Sequence, residues 1–331
     1  IYYGLFFFFF SFWLSFVFAL HFKYSKAKFK IDAIFQTDKG TPIFKSRKLS
    51  SASSDGTIQI WDIKLEKVTH ALQKSIEKIN DVQFSFNSNT IVSCSDLKTI
   101  RLWDINSGEE IVALEGHLGS VTSAQFSSDD SIIVSSSSDR TIRLWDVDHM
   151  KEIKVLQGHV GDVANVQFSS DGKQIVSSSR DNTIGIWDVK SAEKKKALVG
   201  HSSGVVYAQF LPSNLFVVSC SEDGTIRIWD ATSKKEVRKL RGHSGTIQCV
   251  KCLPGGQTLV SCSNDKTIRL WDLQFGVEIQ GLTFHRTVAQ LCHVQVTTQS
   301  GHGCYCEEQK TIFVKNIKKK RLIQLLKKKR G

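Results

Sequence analysis

Short runs in which apolar and polar residues alternate fill most of the chain. In the segment 141–146, Thr-Ile-Arg-Leu-Trp-Asp, the apolar residues Ile142 and Leu144 stand two positions apart. This spacing is typical of a β-strand with one buried face. Turn-forming pairs such as Asp171-Gly172 separate the runs and indicate tight connections. The pattern therefore predicts an all-β protein built from short strands.

The alternating pattern recurs with a period of 42 residues. In four repeats, an Asp lies 22 residues after the His of a Gly-His pair, and a Trp lies 28 residues after that His. A fixed period of this length indicates one structural unit repeated along the chain. The Trp-Asp pairs stand at 61–62, 103–104, 145–146, 187–188, 229–230 and 271–272, and the Gly-His pairs at 116–117, 158–159, 200–201 and 242–243.

A unit of four short strands cannot bury both of its faces alone, whereas radial stacking of several units does so and leaves only short edges. The segment GHLGSVTSAQFSSDDSIIVSSSSDRTIRLWD, residues 116–146, resembles the repeat of the WD-repeat family of β-propellers. The resemblance covers residues 31–326, between an apolar and Lys-rich segment at 1–30 and a basic tail at 327–331. It implies a ring of four-stranded antiparallel blades whose usual work is to hold proteins together.

We expect a seven-bladed propeller in which blades one, two and seven are degenerate. Blades three to six follow the full pattern between residues 116 and 283. Blade two, 74–115, has Lys74-Ser75 in place of Gly-His and Leu97 in place of the turn Asp. Blade seven, 284–326, keeps part of the pattern. The three degenerate blades would be neighbours in a ring, so we expect its closure to be the weakest sector.

Blade one, within residues 31–63, departs most from the repeat. Ile31–Phe35 is expected to form its inner strand, followed by a turn at Asp38-Lys39-Gly40. Extra residues near Pro42–Arg47 predict either a bulging loop or a misread stretch of sequence.

The first 20 residues are uncharged and rich in Phe, and four lysines follow by residue 30. As a helix, this segment would rise about 30 Å, roughly the thickness of a hydrocarbon core. The lysines would then keep the repeats cytoplasmic. The segment is interpreted either as a membrane anchor or as sequence with no native role. A cleaved signal peptide fits less well, because no basic region precedes the apolar run.

Charge is distributed unevenly. The whole chain has net charge +12, whereas residues 49–309 carry 26 basic and 30 acidic residues. The repeats are therefore slightly acidic, which argues against a nucleic-acid-binding face, since such a face needs a basic footprint. The basic runs Lys318–Arg321 and Lys327–Arg330 fit a nuclear localisation signal, an anionic-membrane contact, or lysines that guard an edge strand.

The recurring His, Asp and Trp residues lie near strand serines and suggest a Ser-His-Asp triad. The set occurs four times, however, and an enzyme does not need four copies. The resemblance instead implies a buried hydrogen-bond network that runs from the turn Asp through His and Ser to Trp in each blade. We therefore predict no catalytic residue, metal or cofactor. The network residues are His117, Asp139, Trp145, His159, Asp181, Trp187, His201, Asp223, Trp229, His243, Asp265 and Trp271.

The cysteines give two candidate metal or redox groups, Cys249 with Cys252, and a looser cluster of Cys292, His293, His302, Cys304 and Cys306. Residues three apart on a strand point to opposite faces, and a zinc site needs four converging ligands. Packing is therefore the favoured interpretation of both groups. Cys94, Cys220 and Cys262 share a repeat position that holds Ser elsewhere, which predicts small, reduced, packed thiols in a reducing compartment.

Positions that vary between repeats are candidates for partner contacts. The resemblance implies that partners bind the face that carries the loop before the inner strand and the residue before the turn Asp. The candidates are Lys78, Asn80, Asp162, Arg180, Glu222, Gln248 and Asn264. The alternative is ordinary variation in solvated loops.

These observations predict a monomeric, non-catalytic scaffold that presents a propeller face to a protein or peptide partner in the cytoplasm. A membrane-tethered adaptor anchored by residues 1–20 is the alternative. An enzyme or a nucleic-acid binder is less well supported, because the sequence shows neither an unrepeated catalytic group nor a basic face.

Overall fold

The described part of the chain is all-β, as predicted. The computed structural model describes residues 27–28, 30–38, 41–44, 48–53, 55–62, 67–72, 77–253, 255–283 and 293–299. These residues form strands and turns and contain no helix. The chain divides into two compact units, one of residues 26–34 and 45–297, the other of residues 1–25, 35–44 and 298–331.

Six four-stranded antiparallel sheets follow one another along the described chain, consistent with a β-propeller. The strands are β1 (Ala27–Lys28), β2 (Lys30–Asp38), β3 (Thr41–Phe44), β4 (Lys48–Ser53), β5 (Ile58–Asp62), β6 (Lys67–Leu72), β7 (Ile79–Phe84), β8 (Thr90–Ser95), β9 (Ile100–Asp104), β10 (Glu110–Leu114), β11 (Val121–Phe126), β12 (Ile132–Ser137), β13 (Ile142–Asp146), β14 (Lys151–Leu156), β15 (Val163–Phe168), β16 (Gln174–Ser179), β17 (Thr183–Asp188), β18 (Lys194–Val199), β19 (Val205–Phe210), β20 (Phe216–Ser221), β21 (Ile226–Asp230), β22 (Glu236–Leu240), β23 (Ile247–Cys252), β24 (Thr258–Ser263), β25 (Thr267–Asp272), β26 (Val277–Thr283) and β27 (His293–Gln299). Sheet one contains β1, β4, β5 and β6, and sheets two to six contain β7–β10, β11–β14, β15–β18, β19–β22 and β23–β26. A further three-stranded sheet has the order β27-β2-β3.

The third strand of each sheet illustrates how the alternating pattern is used. In β13, Ile142 and Leu144 are fully buried while Arg143 between them is half-buried. The turn that precedes this strand requires a left-handed residue, since Arg140 has a φ of 71° and the equivalent Asn182 has a φ of 69°. Asn tolerates this conformation better than most non-glycine residues do.

Apolar side chains form the core between successive sheets. Val134, Ile142 and Leu144 of sheet three pack with Val163 and Trp187 of sheet four. Similar clusters join each of the other pairs of successive sheets from one to six. Burial of one such side chain stabilises the fold by about 1.5–3 kcal/mol. Each sheet is therefore held mainly by its neighbours in sequence.

Sheet one differs from the expected first blade. Its fourth member beside β4, β5 and β6 is the short strand Ala27–Lys28, which pairs with β4. The expected inner strand, Ile31–Phe35, lies instead within β2, which forms a hairpin with β3. Thr41–Phe44, where a loop was expected to begin, is therefore a strand, because it pairs with Phe35–Asp38.

The proposed anchor, residues 1–20, lies outside the described residues. Most of the expected seventh blade does too, apart from β27. No helix in the described part of the chain is long and apolar enough to cross a membrane.

Candidate functional site

A chain of hydrogen bonds links four side chains in each intact repeat. In sheet four, His159 Nδ1 lies 2.8 Å from Asp181 Oδ2. On its other side, His159 Nε2 lies 2.8 Å from Ser177 Oγ, and Trp187 Nε1 donates to the same oxygen at 2.8 Å. The His side chain has no exposed surface. These hydrogen bonds therefore join the turn that carries Asp181, the loop that carries His159 and the two strands that carry Ser177 and Trp187.

The same geometry recurs in sheets three, five and six. The His Nδ1 to Asp Oδ2 distances are 2.8 Å for His117 with Asp139, 2.9 Å for His201 with Asp223 and 2.8 Å for His243 with Asp265. The Trp Nε1 to Ser Oγ distances are 2.8 Å for Trp145 with Ser135, Trp229 with Ser219 and Trp271 with Ser261.

Electrostatics determine which atom donates in each bond. Burial lowers the pKa of His159, and its hydrogen bond to Asp181 opposes this only in part. Burial raises the pKa of Asp181, but hydrogen bonds from Thr183 and His159 outweigh it and hold that pKa at about 2. At neutral pH the Asp is thus an ionised acceptor and the His is neutral. His Nδ1–H therefore donates to Asp, and Ser O–H donates to His Nε2.

This arrangement leaves the serine unable to act as a nucleophile. Ser177 is fully buried, and its oxygen already accepts the Trp187 N–H while its proton is directed to His159. A triad needs its Ser oxygen open to a substrate. The repeated His, Asp and Trp residues therefore form a structural network.

Sheet two holds its tryptophan without this His and Asp. Trp103 Nε1 still donates to Ser93 Oγ at 2.8 Å. A buried carboxylate stands near the missing pair: Glu77 accepts from Ser95 Oγ at 2.7 Å and from Arg101 Nε at 2.9 Å. An ion pair thus replaces the His and Asp pair in this sheet. Sequence comparison of the repeats missed Glu77, because it does not occupy the position of His or Asp.

The Gly of each Gly-His pair lies against the tryptophan. A Cβ atom added at Gly242 would lie 2.8 Å from Arg269 Nη1 and 3.0 Å from Trp271 Cη2. Any larger residue would displace the Trp ring or the Arg side chain. At Gly116, Gly200 and Gly242, this close approach explains why Gly precedes His.

We call one end of the sheets the turn face. It is formed by the loops before the first strands and the turns between the second and third strands. Its loops are 115–120, 157–162, 200–204 and 241–246 together with Glu77 and Lys78. Its turns are 96–99, 138–141, 180–182, 222–225 and 264–266. In sheets two to six, loop and turn are joined by a backbone hydrogen bond, such as that from Arg180 N to Asp162 O at 2.9 Å. All seven candidate contact residues lie on or beside this face.

In sheet two the candidates converge on a carboxylate. Lys78 Nζ lies 3.0 Å from Asp96 Oδ2, and Asn80 Nδ2 donates to Asp96 Oδ1 at 2.7 Å. Ser120 of sheet three also donates to Asp96, at 2.7 Å. These bonds outweigh the desolvation that raises the pKa of Asp96, so its pKa is lowered. The cluster therefore carries an ionised carboxylate that joins two sheets.

Asp96 was missed by the sequence analysis as a member of this group. It lies 42 residues before Ser138, and therefore in the same repeat position as Arg180, Glu222 and Asn264. Strict use of the repeat register would have found it.

Two further candidate pairs lie in sheets four to six. Arg180 of sheet four forms an ion pair with Glu222 of sheet five, and the Arg180 side chain is 59% exposed. Gln248 Nε2 donates to Asn264 Oδ1 at 3.2 Å within sheet six. Asp162 is half-buried beside Arg180.

Within the described part of the chain, Cys94, Cys220, Cys249 and Cys252 form no disulfide. Burial raises the pKa of Cys252 to about 12, so this thiol is not a ready nucleophile. Cys262 is disulfide-bonded, so the expectation of a reduced thiol is wrong there. The side chains of the looser Cys and His cluster lie outside the described residues. Among the described residues, no group of three or more His, Cys, Asp or Glu side chains could hold a metal ion.

Comparison with known proteins agrees with this geometry. The family described as WD domain, G-beta repeat matches residues 43–62, 67–104, 108–146, 150–188, 192–230 and 234–272. No curated protein matches the chain. WD repeats generally mediate protein–protein interactions and are generally non-catalytic. Because six successive repeats match, the chain belongs to the WD-repeat family.

Proposed function

We propose that this protein is a non-catalytic scaffold that closes into a seven-bladed propeller and binds a protein or peptide on its turn face. The ion pair between Arg180 and Glu222 carries the proposal. It spans two sheets and leaves most of the Arg side chain exposed. Each of the two residues precedes a turn Asp held by a His. The varied residues therefore stand on rigid supports.

Rigid supports favour binding, because less conformational entropy is lost when a partner docks. The turn face carries both signs of charge close together, which suits recognition by charge pattern. Six sheets at a constant period, followed by a partial repeat at 284–326, support a seventh blade. Cytoplasmic placement and a tether at residues 1–20 remain predictions from the sequence.

A variant with the charges of this ion pair exchanged tests whether the turn face binds the partner. In the double variant Arg180→Glu with Glu222→Lys, the ion pair can re-form with its polarity reversed. An exposed pair contributes only about 0.2–1 kcal/mol, so we expect thermal stability close to that of the parent chain. The pattern of charge offered to a partner is inverted, while the net charge is unchanged.

The matched control is Asp148→Lys with Lys173→Glu. Both residues are exposed and lie in loops at the opposite end of sheets three and four. Full chains would be used to capture partners from cell lysate, followed by mass spectrometry and measurement of the affinity of each retained protein. We expect the control to retain the partner and the ion-pair variant to lose at least about tenfold in affinity. Equal retention by all three chains would show that the turn face is not the binding surface.

A further inference from the structure

The outer edges of sheets four and five carry a concentration of positive charge. We call residues 189–199 and 231–241 the outer basic patch; they comprise the fourth strands and the loops that lead into them. Together they contain nine basic residues and two acidic ones. The basic residues are Lys190, Lys194, Lys195, Lys196, Lys234, Lys235, Arg238, Lys239 and Arg241. The slightly acidic total for residues 49–309 conceals this patch.

The two halves of the patch are joined in the structure. Lys196 Nζ donates to the carbonyl oxygen of Thr232 at 3.1 Å, which links the fourth strand of sheet four to the loop of sheet five. Arg238 makes the equivalent contact with Gln274 O, at 2.9 Å. Lys190, Lys234 and Lys235 remain exposed. The patch is therefore one continuous surface and offers cations to a partner.

Protection of edge strands does not explain the patch. Lysines often guard exposed strand edges against pairing with other chains, and every sheet here has an outer strand. Yet the outer strands Glu110–Leu114 and Val277–Thr283 contain neither Lys nor Arg. A general need for guarding would have placed cations on these edges too.

We propose that the outer basic patch binds the surface of an anionic lipid bilayer. Protein interfaces are enriched in Arg and aromatic residues and depleted of Lys, whereas seven of the nine cations are Lys and neither segment contains an aromatic residue. The absence of aromatic residues also disfavours single-stranded nucleic acid, which stacks on them.

Aliphatic side chains between the cations favour a bilayer over duplex nucleic acid. Val199 is 71% exposed and Val237 is 53% exposed. Such side chains gain free energy when they enter the headgroup region but gain little against a sugar–phosphate backbone. Each lysine near an anionic membrane surface adds attraction that does not require a fixed geometry. This proposal does not rest on the scaffold function or on residues 1–20.

The test is flotation of the full chain with phosphatidylcholine vesicles, with or without about one third phosphatidylserine. The patch variant is Lys190→Glu, Lys235→Glu and Lys239→Glu, none of which disturbs the contacts of Lys196 or Arg238. The control, Lys67→Glu, Lys98→Glu and Arg140→Glu, changes the net charge equally at exposed positions outside the patch. The basic ends of the chain contribute to every variant alike, so the ratios report on the patch.

We expect the partition onto phosphatidylserine vesicles to fall on the order of 100-fold in the patch variant. The control should retain most of its binding, because charges more than about 8 Å from the surface are screened at physiological ionic strength. Lys→Gln at the same three patch positions should give a smaller loss of vesicle binding. This variant provides a second measurement if the Glu variant misfolds.

Three outcomes would overturn the proposal. The first is a patch variant that floats with anionic vesicles as well as the parent chain. The second is equal binding of the parent chain to neutral and anionic vesicles. The third is tighter, patch-dependent binding to duplex DNA than to the vesicles, which would assign the surface to nucleic acid.

Discussion

At the residue scale, one histidine in each intact repeat satisfies a polar group at each of its two ring nitrogens. His159 joins the turn through Asp181 and the strands through Ser177. Because a buried unpaired donor or acceptor costs more than a made hydrogen bond contributes, the network matters chiefly when it is broken. Its role is to fix the turn on which Arg180 stands.

The variant His159→Ala should therefore lower the free energy of unfolding by about 1–3 kcal/mol. A urea titration would measure this as a lower midpoint with an unchanged slope. The matched control is His149→Ala, since the His149 side chain is 74% exposed. A His159→Ala midpoint equal to that of the control would contradict the structural role.

At the element scale, sheet two shows that the fold does not depend on the His and Asp pair itself. Glu77 has almost no exposed surface and pairs with Arg101, which also binds Glu110 at 2.8 Å. The third strand is held to the loop before the first strand, as in the other sheets. The physical requirement is a satisfied buried link between these elements.

We expect Glu77→Ala to destabilise the protein by about 2–3 kcal/mol. Loss of one partner from a buried ion pair usually costs more, but Arg101 keeps Glu110. Chemical denaturation beside the exposed-site control Glu109→Ala would measure the difference. If both variants unfold at the same denaturant concentration, Glu77 does not replace the missing network.

At the scale of the whole molecule, the four networks should make stability depend on pH. The pKa values of the four network His residues are lowered, mainly by burial. A base whose folded pKa lies below its unfolded value is stabilising above about pH 6.5, and this stability is lost as the pH falls. We therefore expect the urea midpoint to decrease as the pH is lowered from about 7.5 to about 5.5. This range extends about one unit on either side of the pKa of an unfolded His.

The network carboxylates act in the same direction at lower pH. The pKa values of Asp139, Asp181 and Asp265 are about 2. Each therefore stabilises the fold above about pH 4, and this stability is lost as the pH falls toward about 2. In His159→Gln the slope between pH 7.5 and 5.5 should be shallower than in the parent chain. A midpoint that rises on acidification would contradict both assignments.

The sequence by itself determined the class, the repeat and the residues of the network. A period of 42 residues aligns the repeats with one another, and alternation reports directly which face of a strand is buried. Equivalent positions in a repeat meet equivalent neighbours, so one pattern predicts His117 with Asp139 and His243 with Asp265 alike.

Only the tertiary structure decided which unrelated positions meet. Glu77 replaces a His and Asp pair from another position, and Ala27–Lys28 occupies the place expected for Ile31–Phe35. Lys196 joins the outer strand of sheet four to a loop of sheet five. Such contacts form between residues that are far apart in sequence and close in space. A local sequence pattern does not report these distances. The outer basic patch was missed because the net charge of residues 49–309 does not show where in that segment the charges lie.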